Sequence, residues 1–228
     1  FSIRASLQQT LDDALSFFDY DVQVVFDQPY RTDRIQGQLE ALPGIDTVET
    51  WGFTSTRIVR ENGTESDNIV VYGPRYDSTM LTPIIVEGRW LLPDDANAVV
   101  INSDVVGGEA DALGGADTRV GSTITLKINN KDTKWVIVGI IRGVLTGPNI
   151  FVNFDYLARV TNSVDRASVS LVRLKDRSPA SQLTMGQAIE QLYRDSGFRV
   201  QQMTTIDQLR TTISTVFDVI IVFLLFMA

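Results

Sequence analysis

The stretch ASVSLVRLKDRSPASQLTMGQAIEQLYRDSGFRVQQM, residues 167–203, sets the architecture. Its first eight residues alternate as a half-buried strand does. Ser178-Pro179 then offers an N-cap and a proline at the first helical position, where the missing N–H would be unpaired in any case. The helix runs towards Ser196-Gly197, and residues 198–203 read as a second strand. The whole is a βαβ unit.

Working outward, the same order occurs earlier. Residues 21–26 (DVQVVF) alternate, residues 32–42 read as a helix ended by Pro43-Gly44, and residues 47–53 resume as a strand. Two such units folding together predict an α+β sandwich with helices against one sheet face. Between them, residues 74–147 are rich in Gly and in short β-prone runs (99–101, 122–128 and 135–141), the last two joined across Asn129-Asn130-Lys131 as a hairpin. This middle segment reads as a small, mostly-β subdomain inserted into the first. The expected division is therefore 1–73 with 148–216, an insertion at 74–147, and a distinct end at 217–228.

Both ends read as amphipathic helices, each either lying on a globular core or continuing as a stalk into a membrane helix. Ile3, Leu7, Leu11, Ala14, Leu15 and Phe18 recur at helical spacing, with Arg4, Gln8, Gln9, Asp12 and Asp13 between them. Near the other end, Thr205 with Gln208 three residues on is a capping-box signature, and Ile206, Leu209, Ile213, Val216 and Ile220 follow at steps of three and four. Residues 219–228 (VIIVFLLFMA) are ten apolar residues without interruption, where a spanning helix needs about 20. They are expected to begin a transmembrane helix; a buried C-terminal helix is the alternative.

Composition removes several chemistries. The 228 residues contain no Cys and no His, which excludes thiol nucleophiles, imidazole bases, disulfides and zinc sites built on either residue. A formal charge of −8 argues against nucleic acid, which needs clustered Lys and Arg. Three of the four lysines, Lys127, Lys131 and Lys134, flank the expected hairpin as its solvated edge. Asn62-Gly63-Thr64 matches a glycosylation acceptor, but between residues 57–59 and 69–71 it reads as a hairpin turn. Asp94-Asp95 with Asn97 lacks the spacing of a calcium loop and reads as a turn. The glycine pairs Gly107-Gly108 and Gly114-Gly115 lack the lysine and the strand-to-helix setting of a phosphate loop. No catalytic, cofactor or metal residue is expected.

The segment from Val86 to Gly143 resembles the periplasmic core domain of MacB/FtsX-like ABC-transporter permeases. The resemblance is carried by Glu87-Gly88-Arg89-Trp90, Ala98-Val99-Val100-Ile101-Asn102, Arg119-Val120-Gly121-Ser122-Thr123-Ile124 and Trp135-Val136-Ile137-Val138-Gly139-Ile140. Each glycine has a physical reading beside it: a turn after Glu87, a tight entry at Gly121, and a bulge or close backbone approach at Gly139. The acidic loop 107–117 does not fit the pattern.

The resemblance implies a porter-like α+β subdomain carrying the insertion, held at the extracytoplasmic side between two spanning helices of a four-helix permease. It implies a homo- or heterodimer of permeases, a separate cytoplasmic ATPase subunit, the membrane itself and an extracytoplasmic accessory protein as partners. It further implies a non-catalytic role in relaying ATP-driven movement, with Leu7, Leu11, Leu15, Leu209, Ile213 and Val216 packing the two stalk helices. Two other functions compete: a sensor domain whose subdomains close on a small ligand, and a hydrolase acting through carboxylates alone. For the latter, no two Asp or Glu side chains are expected to converge in a pocket.

Overall fold

The computed structural model describes residues 16–40, 42–107, 118–143 and 147–227. In it the two βαβ units are interleaved. The first consists of β1 (Val22–Arg31), α1 (Thr32–Leu39) and β2 (Ile45–Thr56), and the second of β10 (Arg166–Leu174), α4 (Pro179–Asp195) and β11 (Val200–Thr205). The strands lie in the order β11-β1-β10-β2, so each unit is split by a strand of the other, antiparallel to both its neighbours. A helix is about 10 Å wide and strands are about 4.8 Å apart, so a crossover helix spans two strand widths without strain. This is a split βαβ pair with both helices on one face.

The local signals that read as helix ends are present as hydrogen bonds. Ser178 accepts the Ser181 N–H at 3.3 Å with Pro179 behind it. At the other end Gly197 takes φ +81°, the Phe198 N–H reaches the Tyr193 carbonyl at 2.9 Å, and the Gly197 N–H reaches that of Arg194 at 3.0 Å. That pair of bonds closes the helix as a Schellman motif. Beneath both helices lies an apolar layer that includes Val22, Val24, Phe26, Ile35, Leu39, Val172, Ile189, Tyr193 and Phe198. The Tyr193 phenol is buried there on Ser170 Oγ at 2.9 Å, and burial pushes its pKa up.

The chain between the units extends the same sheet. It comprises β3 (Ile58–Val59), β4 (Ile69–Gly73), β5 (Ile85–Gly88), β6 (Ala98–Asn102), α2 (Ser103–Gly107), β7 (Thr123–Ile128), β8 (Lys131–Ile141), β9 (Asn149–Val152) and α3 (Phe154–Val160). From β2 the ladder continues β4-β9-β6-β8-β7-β3, with β5 attached to β8. β2 changes partner within its length: residues 45–51 pair with β10, and residues 52–56 pair with β4. Opposite each other at the change stand Gly52 and Gly73, and Leu157 of α3 rests on the pair; a Cβ on either glycine would lie 3.0 or 2.7 Å from Leu157 Cδ2.

Two turn readings resolve differently. The hairpin β7–β8 has a two-residue loop, Asn129 (φ +50°) and Asn130 (φ +60°), so Lys131 already belongs to the strand. Both residues with positive φ identify the turn that matches strand twist. Asn62-Gly63 is a turn too, with Gly63 at φ +82°. It closes a short hairpin in which Val59 bridges to Glu65, the Arg60 N–H reaches the Thr64 carbonyl at 2.8 Å and the Ser66 N–H that of Ile58 at 2.9 Å, so the second arm is 64–66 and not the expected 69–71. On its other edge Ile58 pairs with Leu126 and is buried in the apolar core around Trp135, while residues 69–73 go to the free edge of β2 as β4.

The residues that carry the family resemblance meet in one place. Gly88 pairs with Gly139, and the β6–β8 register slips by one residue beside it. A Cβ on Gly139 would lie 2.0 Å from the Arg89 carbonyl oxygen, and one on Gly88 would lie 2.3 Å from that of Val138, with φ already +74°. Arg89 then grips Asp95 through two bonds of 2.7 and 2.8 Å, which hold the Asp95 carboxyl below its usual range. Trp90 packs towards Phe151, with ring centroids 5.5 Å apart. These residues are structural.

The glycines separate cleanly by consequence. Gly139→Ala and Gly88→Ala are expected to cost roughly 3 kcal/mol or more, because neither backbone oxygen can retreat. Gly63→Ala, with open space around it, is expected to lose only about 1 kcal/mol. Gly37→Ala, exposed within α1 and unobstructed, is expected to gain about 0.5–1 kcal/mol. Urea unfolding of the four variants checks the order, including the change of sign.

Candidate functional site: the junction of the two chain ends

Residues 16–21 lead into the sheet across the face that carries no helices. Phe18 bridges to Leu81, the Asp19 N–H donates to the Met80 carbonyl at 3.0 Å, and the Thr82 N–H donates to that of Phe17 at 2.9 Å. Phe17 and Phe18 are buried, edge to face at 4.9 Å, and Phe17 lies 5.8 Å from Phe151. The cluster they enter draws Trp51, Val169 and Leu171 from the helix-backed strands and Val100, Ile141 and Phe151 from the strands of the middle segment. Tyr72 stacks on Phe151 at 5.6 Å. Ile206, the first residue of α5 (Ile206–Met227), packs on the same cluster. One apolar cluster therefore touches the chain on its way in, on its way out, and on both sides of the β2 hand-over.

Directional bonds fix the same place. Asp21 is buried, and its carboxylate accepts from Arg177 Nε at 2.9 Å, the Leu174 N–H at 2.8 Å and Gln182 Nε2 at 3.2 Å. Its own carbonyl accepts the Ile206 N–H at 3.0 Å. Each partner is a donor, and burial of a carboxylate is tolerated only when its lone pairs are occupied in this way. Asp19 accepts from Arg177 at 2.7 Å and from Arg173 at 2.9 Å, and Arg173 also holds Asp46 at 3.1 Å. The hydrogen bond from Arg173 keeps the Asp46 carboxyl below its ordinary range. Asp19 and Asp21 thus converge on the guanidinium of Arg177.

Gln182 connects the network to the outgoing helix. Its amide donates to Asp21 and to the Arg177 carbonyl, and its oxygen accepts the Asp207 N–H at 3.1 Å. Thr205 and Gln208 then exchange bonds of 3.1 and 3.0 Å, a reciprocal capping box that seats the first turn of α5.

Of the six stalk positions read from sequence, Leu7, Leu11 and Leu15 lie outside the described residues. On α5, Leu209 and Ile213 are half-buried and Val216 is 54 % exposed. Among the described residues no helix is long and apolar enough to cross a membrane, although the α5 backbone continues as helix through Met227. Sequence reasoning missed Asp19, Asp21, Arg173, Arg177 and Gln182. Their bonds join residues about 150 positions apart, and no local spacing marks them; the capping box, being local, was readable.

Residues 1–192 match the MacB-like periplasmic core domain, and the chain belongs to that family, as the extracytoplasmic domain of an ABC-transporter permease. Its fold is similar to the periplasmic region of MacB from Actinobacillus actinomycetemcomitans, at 14 % identity and a TM-score of 0.57, covering 91 % of this chain and 98 % of that one. It is likewise similar to the extracellular domain of the noncanonic ABC-type transporter YknZ from Gram-positive bacteria, at 13 % identity and a TM-score of 0.53, covering 80 % and 99 %. No curated protein matches the chain.

Asp21→Ala removes the group that ties β1, β10, α4 and the start of α5 together. It is expected to cost about 3 kcal/mol, since the Leu174 N–H and the Gln182 amide lose their acceptor in the interior. Asp33→Ala, which breaks an exposed pair with Arg31, is expected to leave the unfolding midpoint almost unchanged. Chemical denaturation of the two variants side by side tests the difference.

Proposed function

We propose that this domain is a non-catalytic relay that carries ATP-driven movement from the membrane part of the permease to an extracytoplasmic substrate or partner. The observation that carries the reading is the single cluster gripping Phe17, Phe18 and Ile206. A pull or tilt applied to either chain end acts on the same buried side chains, and through them on both sides of the β2 hand-over. A junction that closely packed transmits displacement instead of absorbing it.

On this reading Leu7, Leu11 and Leu15 pack against Leu209, Ile213 and Val216 as a pair of stalk helices, and residues 217–228 begin a spanning helix. Residues 1–73 with 148–216 form the part joined to the stalks, and residues 74–147 extend from it towards the client. The motor is a separate cytoplasmic ATPase subunit, reached through the membrane part. The working unit is a homo- or heterodimer of permeases, engaging an extracytoplasmic accessory protein.

The chain contains no cysteine, so engineered pairs have no background. Cysteine pairs taking one residue from Leu7, Leu11 or Leu15 and one from Leu209, Ile213 or Val216 are placed in the full permease with its ATPase. Oxidation is expected to uncouple ATP hydrolysis from transport, and reduction to restore it. A permease that crosslinks to completion and keeps its full coupled activity refutes the relay.

A further inference from the structure

Where β2 leaves β10, the sheet opens into a cavity of about 380 Å³. The β2–β10 ladder ends at Trp51 and Val169. On the other edge of β10 the ladder to β1 slips between Val25 and Tyr30, so that residues 26–29 face only Ser168. Ser168 therefore has no ladder partner on either side. It is 9 % exposed, it lines the cavity, and its hydroxyl has no hydrogen-bond partner among the described residues. A hydroxyl that is reached from the cavity and has no partner within the described protein is available to bond a ligand group there.

The rest of the lining points to one chemistry. Thr54, Asn129 and Gln201 bring uncharged donors and acceptors to the walls. Arg166 brings a guanidinium whose bond, at 3.3 Å, is to the Pro29 carbonyl; it has no ion pair among the described residues of a chain that carries a net charge of −8. Asp27, the carboxylate of the lining, already faces Arg199 at 3.7 Å. Between these groups run two strand edges that have parted company, residues 52–54 of β2 and 166–168 of β10. An open strand edge recognises another extended backbone.

We propose that this cavity binds the C-terminal end of a short extended peptide. Its backbone continues the ladder where β2 and β10 diverge, Ser168 donates to a peptide carbonyl, and Arg166 takes the terminal carboxylate. The volume is at the small end for ligand sites, which restricts the occupant to two or three small residues. The proposal is independent of the relay, since a peptide site here implies nothing about how the chain ends move.

The test is a titration of the full ¹⁵N-labelled 228-residue chain with trialanine, followed by amide shifts and calorimetry. Shifts are expected at Gly52, Thr54, Ala167 and Ser168, with the hairpin β7–β8 unaffected beyond Asn129. C-terminal amidation of the peptide and Arg166→Met are each expected to weaken binding about tenfold or more, as loss of a charged hydrogen-bonded contact does. Arg166 is exposed, so its variant keeps the wild-type unfolding midpoint, and that measurement separates lost binding from lost folding. Ser168→Ala is expected to weaken binding severalfold. The proposal is overturned if trialanine moves none of the four amides, or if the amidated peptide and the arginine variant bind as the originals do.

Discussion

One strand takes part in two ladders, and the rest of the structure follows from that. β2 spends residues 45–51 on β10 and residues 52–56 on β4. The exchange needs Gly52 opposite Gly73, because Leu157 occupies the space above them. Trp51, the last residue paired with β10, turns into the apolar cluster shared by both parts of the sheet. The cavity beside Ser168 lies in the wedge left where the two ladders separate. The junction and the cavity are thus two outcomes of a single topological event.

At the junction, two kinds of interaction do different jobs. Apolar packing among Phe17, Phe18, Trp51 and Phe151 is strong but has little directional preference. The bonds of Asp21, Gln182 and the Thr205–Gln208 box have direction, and they fix where α5 starts and along which line it leaves. Burying Asp21 would be costly without partners, and its cost is offset only when β10, α4 and α5 are all in register. A polar group of this type selects one arrangement among several that would bury the same apolar area.

What could be read in the sequence was what is local. The Ser178-Pro179 start, the Gly197 stop, the Asn129-Asn130 turn and the Thr205–Gln208 box each involve residues within five positions of one another, and each is present as a hydrogen-bond pattern. The interleaving of the two βαβ units was not readable, because nothing in residues 21–53 records that β10 will be inserted between β1 and β2. The hairpin about Asn62-Gly63 divides in the same way: its turn and its 64–66 arm are local, but the choice of Leu126 as the other partner of Ile58 is not. Of the candidate site, the sequence marked the apolar faces of the two ends and none of the charged residues that fix them.

The placement of β1 bears on how the polypeptide reaches this state during its synthesis. β1 lies between β10 and β11, and Val22 pairs with both Val172 and Thr205. β1 is made before either of its partners, so both of its edges stay uncovered until β10 and β11 have been synthesised. The strands from β4 to β9 are close in sequence and can assemble while it waits. Until α4 packs over Val22, Val24 and Phe26 and β11 closes the remaining edge, β1 is an exposed apolar ribbon, and this is the time when the domain is most open to aggregation and to chaperones.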